Sequence, residues 1–372
     1  MTINIRQVKS RKELRTFIHL PEFIHWDHKN WLPPIYVDEW KFFNPKKNRS
    51  FSHCSTILLL AYKEKEAVGR IMGIVNQAYN EGKGEKTARF GFLECYNDPD
   101  ISHTLIRAIE DWASEQGMNK VIGPYGFSDK DPQGLQIEGF EEDPTLAAPC
   151  NEEYLVKLVE KEGYEKEVDC MMYTSMIING IPAIYTTVSQ RILQNIEYQL
   201  VEPKSKKELK PYIIPVLQML NESYSNIYGF LPLDDQEMKE FAARYMPVLD
   251  PRFVKLICVA GEVIAFMIGL PSLTRGIQAC RGYLFPFGIL KLIKESKKTR
   301  QLDLMLGGVK PLYHNKGLPV PLVLKMFESA VKAGFKRIDI HLVLETNLKM
   351  RAELDRGGAT IHKRFRVYKK FL

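Results

Sequence analysis

The sequence predicts a mixed α/β protein of two domains in tandem, each a central mixed β-sheet flanked by helices. The first observation is the length of 372 residues, which is more than one hydrophobic core of typical size organises. The second is that strand and helix patterns follow one another in the same order twice, which indicates a tandem duplication. The third is an ordinary composition, 45% apolar and 26% charged, with no apolar run long enough to span a membrane.

The first half starts with two strand patterns around a turn, residues 55–78, and a third strand pattern at residues 88–96. A helix pattern follows, because apolar residues recur at helical spacing: Leu105, Ala108, Ile109, Trp112 and Ala113. A short apolar strand, an amphipathic helix at residues 151–164 and a closing strand complete this half.

The second half repeats this order, with a strand pair at residues 253–270 and a middle strand at residues 300–309. The helix after it has a predicted apolar face of Val320, Val323, Leu324, Phe327 and Val331. A strand at residues 336–344, a helix at residues 347–358 and the segment "HKRFRVYKKF" follow. Because basic and aromatic residues alternate in this segment, we expect it to be the closing strand of the second half.

These patterns place an N-terminal domain at residues 1–183, a connecting helix at residues 184–196 and a C-terminal domain at residues 197–372. The first half is longer because of an insert at residues 126–150, which is rich in Gly, Pro and acidic residues. Its apolar Leu135, Ile137 and Phe140 are too many for a solvated linker. We therefore expect the insert to be an ordered flap at a substrate groove.

A candidate anion site lies in the segment "VKPLYHNKGLPVPLVLKMF", residues 309–327, where a strand ends, a Gly-containing turn follows and a helix begins. The N–H groups at a helix start point outward and carry the positive end of the helix dipole. Gly317 lets a phosphate approach the backbone without a Cβ in the way, and Lys316 adds positive charge. The segment therefore predicts a phosphate-binding turn.

In its order of elements the chain resembles the GNAT superfamily, the Gcn5-related N-acetyltransferase fold, in tandem. The resemblance implies that the turn holds the pyrophosphate of coenzyme A, with acetyl-CoA or another acyl-CoA as cofactor. The residues that it places at the cofactor are Gly307, Gly308, Val309, His314, Asn315, Lys316, Gly317, Leu318 and Asn347. It also implies a small-molecule or peptide amine as acceptor, bound between the two domains.

The sequence departs from the GNAT pattern at several of these positions. Pro319 and Pro321 have no N–H to donate to a phosphate, and Leu354 stands where the family often has a tyrosine that acts as general acid. In the first half, Asp98 and Asp100 occupy the equivalent turn, where two carboxylates would repel a pyrophosphate. We therefore expect the first copy to be degenerate and the second to carry any coenzyme site.

Three residues are candidates for proton transfer or for lining the acceptor pocket. The GNAT resemblance implies that the cofactor arm lies between the strands at residues 300–309 and 336–344; His341, on the second of these, is a candidate general base, and a structural histidine is the alternative. Tyr224 and Tyr228 lie at helical spacing and suit either a pocket wall or core packing. His25 and His28 lack the further spaced ligands that a metal needs, so we predict no metal site.

The charge of the chain is unevenly distributed. Residues 291–372 hold 19 Lys and Arg against 7 Asp and Glu, a net charge of +12, so the other residues sum to −5. This asymmetry suggests an anionic partner such as a phosphorylated cofactor or a nucleic acid, or a solvated basic surface. Residues 282–298 are apolar and then basic; we expect them to pack on the sheet, with contact to a membrane or an acyl chain as the alternative.

Three functions stay open. The first is an acyl-CoA-dependent N-acyltransferase acting on a primary amine, and the second is a non-catalytic binding protein that keeps the fold without the chemistry. Tandem GNAT folds with one degenerate copy resemble Fem-type peptidyltransferases and N-myristoyltransferases, and the third function is a Fem-like transfer from aminoacyl-tRNA, which the basic C-terminal segment supports. The N-terminus lacks an export signal and the six cysteines form no CxxC pair, so we expect a cytoplasmic protein.

Overall fold

The computed structural model describes residues 2–146, 148–225 and 227–372. The first elements along the chain are β1 (Ile3–Gln7), α1 (Arg11–Ile24), α2 (Tyr36–Phe42), β2 (Cys54–Lys63), β3 (Glu66–Asn76), α3 (Gln77–Lys83), β4 (Thr87–Cys95), α4 (Pro99–Glu115), β5 (Lys120–Gly123), β6 (Leu135–Glu138), α5 (Glu153–Lys161) and β7 (Glu165–Met176). The remaining elements are α6 (Ala183–Leu193), β8 (Gln199–Val201), α7 (Lys206–Leu209), α8 (Ile213–Tyr224), α9 (Asp235–Tyr245), β9 (Val254–Val259), β10 (Glu262–Pro271), α10 (Thr274–Cys280), α11 (Gly288–Ser296), β11 (Gln301–Val309), α12 (Pro319–Lys332), β12 (Arg337–Leu344), α13 (Leu348–Arg356) and β13 (Thr360–Phe371).

The chain forms two compact units, and neither is one continuous stretch. The first consists of Met1–Met171, Leu273–Lys297 and His362–Leu372, and the second of Met172–Ser272 and Lys298–Ile361. The predicted division at residues 1–183, 184–196 and 197–372 is continuous, so it does not coincide with these units. Sequence patterning locates elements, whereas the units depend on which distant elements pack together.

The sheet of the first unit has the order β1-β2-β3-β4-β5-β13-β7. Strands β1 to β4 form an antiparallel meander, and β4 then pairs with β5 in parallel. Because a parallel pair needs a crossover, the chain between them runs through helix α4. This helix lies close to β3, where a Cβ on Gly69 would come within 2.7 Å of Leu105 Cδ1.

The sheet of the second unit repeats this plan in the order β12-β11-β10-β9-β8. Strands β8 to β11 are antiparallel, and β11 pairs with β12 in parallel across the crossover helix α12. The predicted fold class, mixed sheets flanked by helices, is confirmed. The predicted apolar face of α12 is largely wrong: its buried residues are Pro321, Leu322, Leu324, Met326 and Ala330, whereas Val331 is half-exposed.

The C-terminal strand β13 is not the closing strand of the second unit, as the sequence led us to expect. It pairs antiparallel with β5 of the first unit, with Tyr368 opposite Gly123, and also with β6. Alternation along a segment predicts a strand but carries no information on its neighbour. Among the described residues, no helix is long and apolar enough to cross a membrane.

Candidate functional site

The central feature of the second unit is a gap between two parallel strands. Strands β11 and β12 are paired from Gln301, opposite Arg337, to Leu304, opposite Ile340. Both strands continue beyond this last pair. On its other side, β11 stays paired with β10 but its register shifts beside Ile268, which indicates a β-bulge. Residues 305–309 of β11 and 341–344 of β12 therefore diverge.

The backbone of β11 presents polar groups to this gap. Lys310 N–H donates to Ile264 O on β10, so Gly308, two residues earlier, also faces β10. Gly307 and Val309 alternate with these residues, so their N–H and C=O groups point away from β10. Side-chain contacts agree, because the Tyr224 hydroxyl donates to Gly307 O at 2.9 Å.

The three catalytic candidates lie on different elements. Tyr224, the last residue of α8, contacts β11 directly through its hydroxyl, whereas Tyr228 lies in the turn after α8. His341 is the first residue of β12 beyond the paired register, and both of its ring nitrogens are buried from solvent. The structure therefore brings Tyr224 and His341 to the two strands that border the gap.

The predicted anion-binding turn connects β11 to α12. It contains a single 3-10 turn at Pro311–Tyr313, and Asn315 and Gly317 both have positive φ angles, 63° and 75°. Helix α12 begins at Pro319, and Val320 N–H donates to Gly317 O at 3.0 Å. With prolines at the first and third helical positions, Gly317 and Leu318 are the backbone donors nearest the helix start.

Three of the predicted turn and cofactor residues also have structural contacts. His314 Nε2 donates to Val309 O at 3.0 Å, so its ring folds back onto the end of β11. A Cβ on Gly317 would lie 2.8 Å from Ile192 Cδ1 of α6, so the neighbour of this glycine is an apolar side chain. Asn347 caps α13 by accepting from Met350 N–H at 3.2 Å. Lys316 is exposed and adds the positive charge that the prediction required.

A buried acidic pair lies where β11 and β12 are still paired. Asp303 and Asp339 are opposite each other, and Gln301 Nε2 donates to both carboxylates, at 2.7 Å and 3.0 Å. Arg337 Nε donates to Asp339 at 2.6 Å and compensates its charge. Burial, with the Asp339 carboxylate nearby, raises the pKa of Asp303 to about 7. This pair joins the two strands just before they diverge.

The turn of the first unit has a different character. Asp98 is the N-cap of α4, and its carboxylate accepts from Asp100 N–H at 3.0 Å. Lys63 Nζ lies 3.4 Å from the same carboxylate. A helix start already capped by its own carboxylate is a poor site for a phosphate, and the degeneracy of the first copy stays a prediction.

The sequence analysis named His25 and His28, at and after the end of α1 in the first unit, but missed the two carboxylates that lie beside them. His25 Nε2 is 2.9 Å from Glu94 Oε2, and His25 Nδ1 is 3.0 Å from His28 Nδ1. Glu152 Oε1 lies 3.5 Å from the same His28 nitrogen. In the described part of the chain, His25, His28 and Glu152 form the one group whose ligating atoms lie close enough, within 4.8 Å, to hold a metal. No spacing signal links His25 to Glu94, which is 69 residues away.

The insert at residues 126–150 is held by hydrogen bonds within the first unit. Its strand β6 pairs with β13, and Asp131 Oδ2 accepts from Phe127 N–H at 2.8 Å. Asn30 Nδ2 donates to Phe140 O at 2.8 Å, beside the histidine cluster. The insert thus has defined contacts, whereas its role as a flap over a substrate groove stays a prediction.

An antiparallel meander followed by a crossover helix and a parallel strand occurs in both units, and in the second the parallel strands diverge at the helix start. This is a tandem GNAT fold. A tandem GNAT protein from the clavulanic acid biosynthesis pathway aligns with 100% of this chain and 98% of its own, with a TM-score of 0.56 and 11% identity. A GCN5-related N-acetyltransferase from Sphaerobacter thermophilus aligns with 99% of this chain and 95% of its own, with a TM-score of 0.52 and 11% identity.

Two proteins are similar along nearly the whole sequence. Bacterial ceramide synthase from Caulobacter vibrioides is 29% identical over 381 residues, which cover 100% of this chain and 98% of that protein. Protein YghO from Escherichia coli is 25% identical over 376 residues, covering 98% and 95%. No family model matches the chain.

Proposed function

We propose that this protein is an acyl-CoA-dependent N-acyltransferase that acts on a primary amine. The observation that supports the proposal is the gap between β11 and β12, bordered by the Gly307 and Val309 backbone and followed by the Gly317 turn. A divergent strand pair accommodates an extended thioester arm, and the turn suits a pyrophosphate. Acyl-CoA would supply the acyl group as a thioester.

The chain offers groups for each step of such a transfer. The N–H groups of Gly307 and Val309 face away from β10 and are placed to stabilise negative charge on a carbonyl oxygen. His341 is the candidate base that removes the proton from the ammonium, so that the amine nitrogen can form the amide bond. As the carbon–sulfur bond breaks, the leaving thiolate takes a proton, for which the Tyr224 hydroxyl is the candidate donor.

The name of one relative narrows the choice of substrates to be proposed. The name of the Caulobacter protein points to ceramide, the amide of a long-chain amino alcohol and a fatty acid. Its similarity along the whole chain favours a long-chain amino alcohol as acceptor and a fatty acyl-CoA as donor over the acetyl-CoA and the peptide acceptor suggested by the GNAT resemblance. We propose these lipid substrates as the first to be assayed.

The direct test is release of free coenzyme A from palmitoyl-CoA and from acetyl-CoA, with a long-chain amino alcohol or a short polyamine as acceptor. We expect turnover to be fastest with palmitoyl-CoA and the long-chain acceptor. Tyr224→Phe and His341→Gln should lower kcat, while Tyr245→Phe, a tyrosine of α9, serves as the control. Acyl-CoA binding without release under any pairing would favour the non-catalytic alternative, which Pro319 and Leu354 support.

A further inference from the structure

The surface formed by residues 283–297 of the first unit combines exposed apolar and basic side chains. Helix α11 and the loop before it expose six large apolar residues: Tyr283, Phe285, Phe287, Ile289, Leu290 and Ile293. Phe285 is 71% exposed, Phe287 69% and Leu290 63%. We call these six residues the apolar patch. Clustered exposure of this kind marks an interaction surface, unlike scattered apolar residues.

The exposed side of α11 is not needed to attach this helix to the protein, because α11 already packs against α10 through its other side. Leu292 lies against α10, where a Cβ on Gly276 would come within 2.7 Å of Leu292 Cδ1. The expectation that this segment packs on the sheet is therefore not met by Leu292, whose neighbour is helix α10. Leu290 and Ile293 stay exposed although they flank this half-buried residue.

The charged side chains of this segment are almost all positive. Lys291, Lys294 and Lys297 are exposed on α11 and just beyond it, with Glu295 as the one acidic residue of the segment. A surface cavity of about 700 Å³ adjoins the patch and is lined by basic and aromatic residues that include Arg11, Lys12, Arg15, Trp40, Tyr283 and Phe285. This combination complements phosphate head groups above an apolar layer.

We propose that the apolar patch docks this protein onto an anionic lipid bilayer. Phe285, Phe287 and Leu290 would enter the boundary between head groups and acyl chains, while the lysines contact anionic phosphates. The short amphipathic helix suits reversible surface binding, not spanning. The proposal stands on this surface alone and does not depend on the acyltransferase assignment.

The test is sedimentation of the full-length protein with sucrose-loaded vesicles of phosphatidylglycerol and phosphatidylcholine, compared with pure phosphatidylcholine vesicles. We expect binding to the anionic vesicles that weakens with salt, and little binding to the neutral ones. Phe285→Ser with Leu290→Ser, and separately Lys291→Glu with Lys294→Glu, should each weaken binding about tenfold or more.

Two matched controls separate this patch from general effects. Ile196→Ser changes another apolar side chain, 98% exposed and in the second unit, and Lys207→Glu with Lys210→Glu makes the same charge change elsewhere. Both controls should bind as the wild type does. Wild-type protein that stays in the supernatant with anionic vesicles would overturn the proposal. So would patch variants that bind like the controls, or a patch that instead forms dimers in light scattering without binding vesicles.

Discussion

His25 and His28 face each other through their Nδ1 atoms, 3.0 Å apart. Two protonated nitrogens cannot meet in this way, so at most one of the pair carries the bridging hydrogen. His25 Nε2 lies 2.9 Å from the Glu94 carboxylate, which only accepts, so His25 donates there and uses Nδ1 as an acceptor. His28 Nδ1 is then the donor of the hydrogen bond between the two rings.

This arrangement predicts that acid destabilises the protein. Burial, with His25 nearby, lowers the pKa of His28 in spite of the Glu152, Glu94 and Asp27 carboxylates around it. Below the unfolded value of about 6.5, the unfolded chain binds a proton that the folded chain excludes, so the free energy of unfolding falls as the pH drops. His28→Gln keeps an N–H donor toward His25 and should lose less stability between pH 7 and pH 5, as measured by urea unfolding.

The control for this experiment is His53→Gln, an exposed histidine of the same unit. We expect it to follow the wild-type dependence on pH. If the free energy of unfolding of His28→Gln changes with pH as steeply as that of the wild type, His28 is protonated in the folded protein and the proposed hydrogen-bond directions are wrong.

The same network predicts that the cluster needs no metal. The facing Nδ1 atoms of His25 and His28 are occupied by one shared hydrogen bond, and Glu152, the third ligating group, lies beside these occupied nitrogens. Dialysis against EDTA should leave the melting temperature unchanged, and added Zn²⁺ should not raise it. A loss of stability in EDTA that Zn²⁺ restores would instead establish a metal site at this cluster.

The buried Asp303 predicts the opposite dependence on pH in the second unit. Its folded pKa of about 7 exceeds the unfolded value of about 3.9, so between these values the unfolded chain releases a proton that the folded chain retains. Stability contributed by this group is therefore complete below about pH 4 and is lost as the pH rises to 7. Asp303→Asn keeps the acceptor for Gln301. From pH 4 to pH 8 its free energy of unfolding should rise by roughly 2–4 kcal/mol relative to that of the wild type.

Asp355→Asn, at an exposed position of α13, is the matched control and should shift stability equally at both pH values. The comparison is the difference between variant and wild-type free energies of unfolding at pH 4 and at pH 8, which cancels the titration of all other groups. If the free energy of unfolding of Asp303→Asn differs from that of the wild type by the same amount at pH 4 and at pH 8, Asp303 is ionised in the folded protein.

The repeated order of elements was predictable because it depends on local patterns. Strand alternation and the helical spacing of residues such as Leu105 and Ile109 follow from the chain itself, and Leu105 and Ile109 are buried in the structure. The turn around Gly317 was predictable for the same reason, since strand, glycine and helix start are adjacent in sequence. Its positive φ of 75° is the conformation that a glycine favours.

The pairing of distant segments could not be predicted from the sequence. The alternation in "HKRFRVYKKF" fits any sheet edge, so the pairing of Tyr368 with Gly123 had no signal. The carboxylate partner of His25 comes from β4, a strand whose other residues are mainly buried and apolar. The apolar residues of α11 look the same in sequence whether they are buried or exposed, and the structure exposes most of them.

The two copies should differ in coenzyme binding. Lys316→Glu reverses the exposed charge of the Gly317 turn and should weaken binding of coenzyme A about tenfold at low salt, because attraction becomes repulsion. Asp98→Asn removes the charge from the first turn but keeps the cap of α4, so it should leave binding unchanged. Isothermal titration calorimetry measures both. Equal weakening in the two variants would show that the second copy does not hold the coenzyme by itself.

The prolines of α12 predict a weak coenzyme site that one substitution strengthens. Pro319 is exposed at the first helical position and supplies no N–H where a phosphate would accept one. A hydrogen bond to a charged group is worth roughly 1.5–3 kcal/mol, and each 1.4 kcal/mol changes affinity about tenfold. We therefore expect wild-type dissociation constants of tens of micromolar or weaker for acetyl-CoA, and binding about tenfold tighter after Pro319→Ala.

Pro311→Ala is the matched control, because Pro311 is also exposed and begins the 3-10 turn before the anion-binding turn. Restoring an N–H there should not change affinity, since that turn lies before the helix start. Proline suits the first helical position, so Pro319→Ala should leave the melting temperature nearly unchanged and any gain in affinity reports the new donor. Nanomolar binding by the wild type, or no gain from Pro319→Ala, would mean that the pyrophosphate is held by other groups than the start of α12.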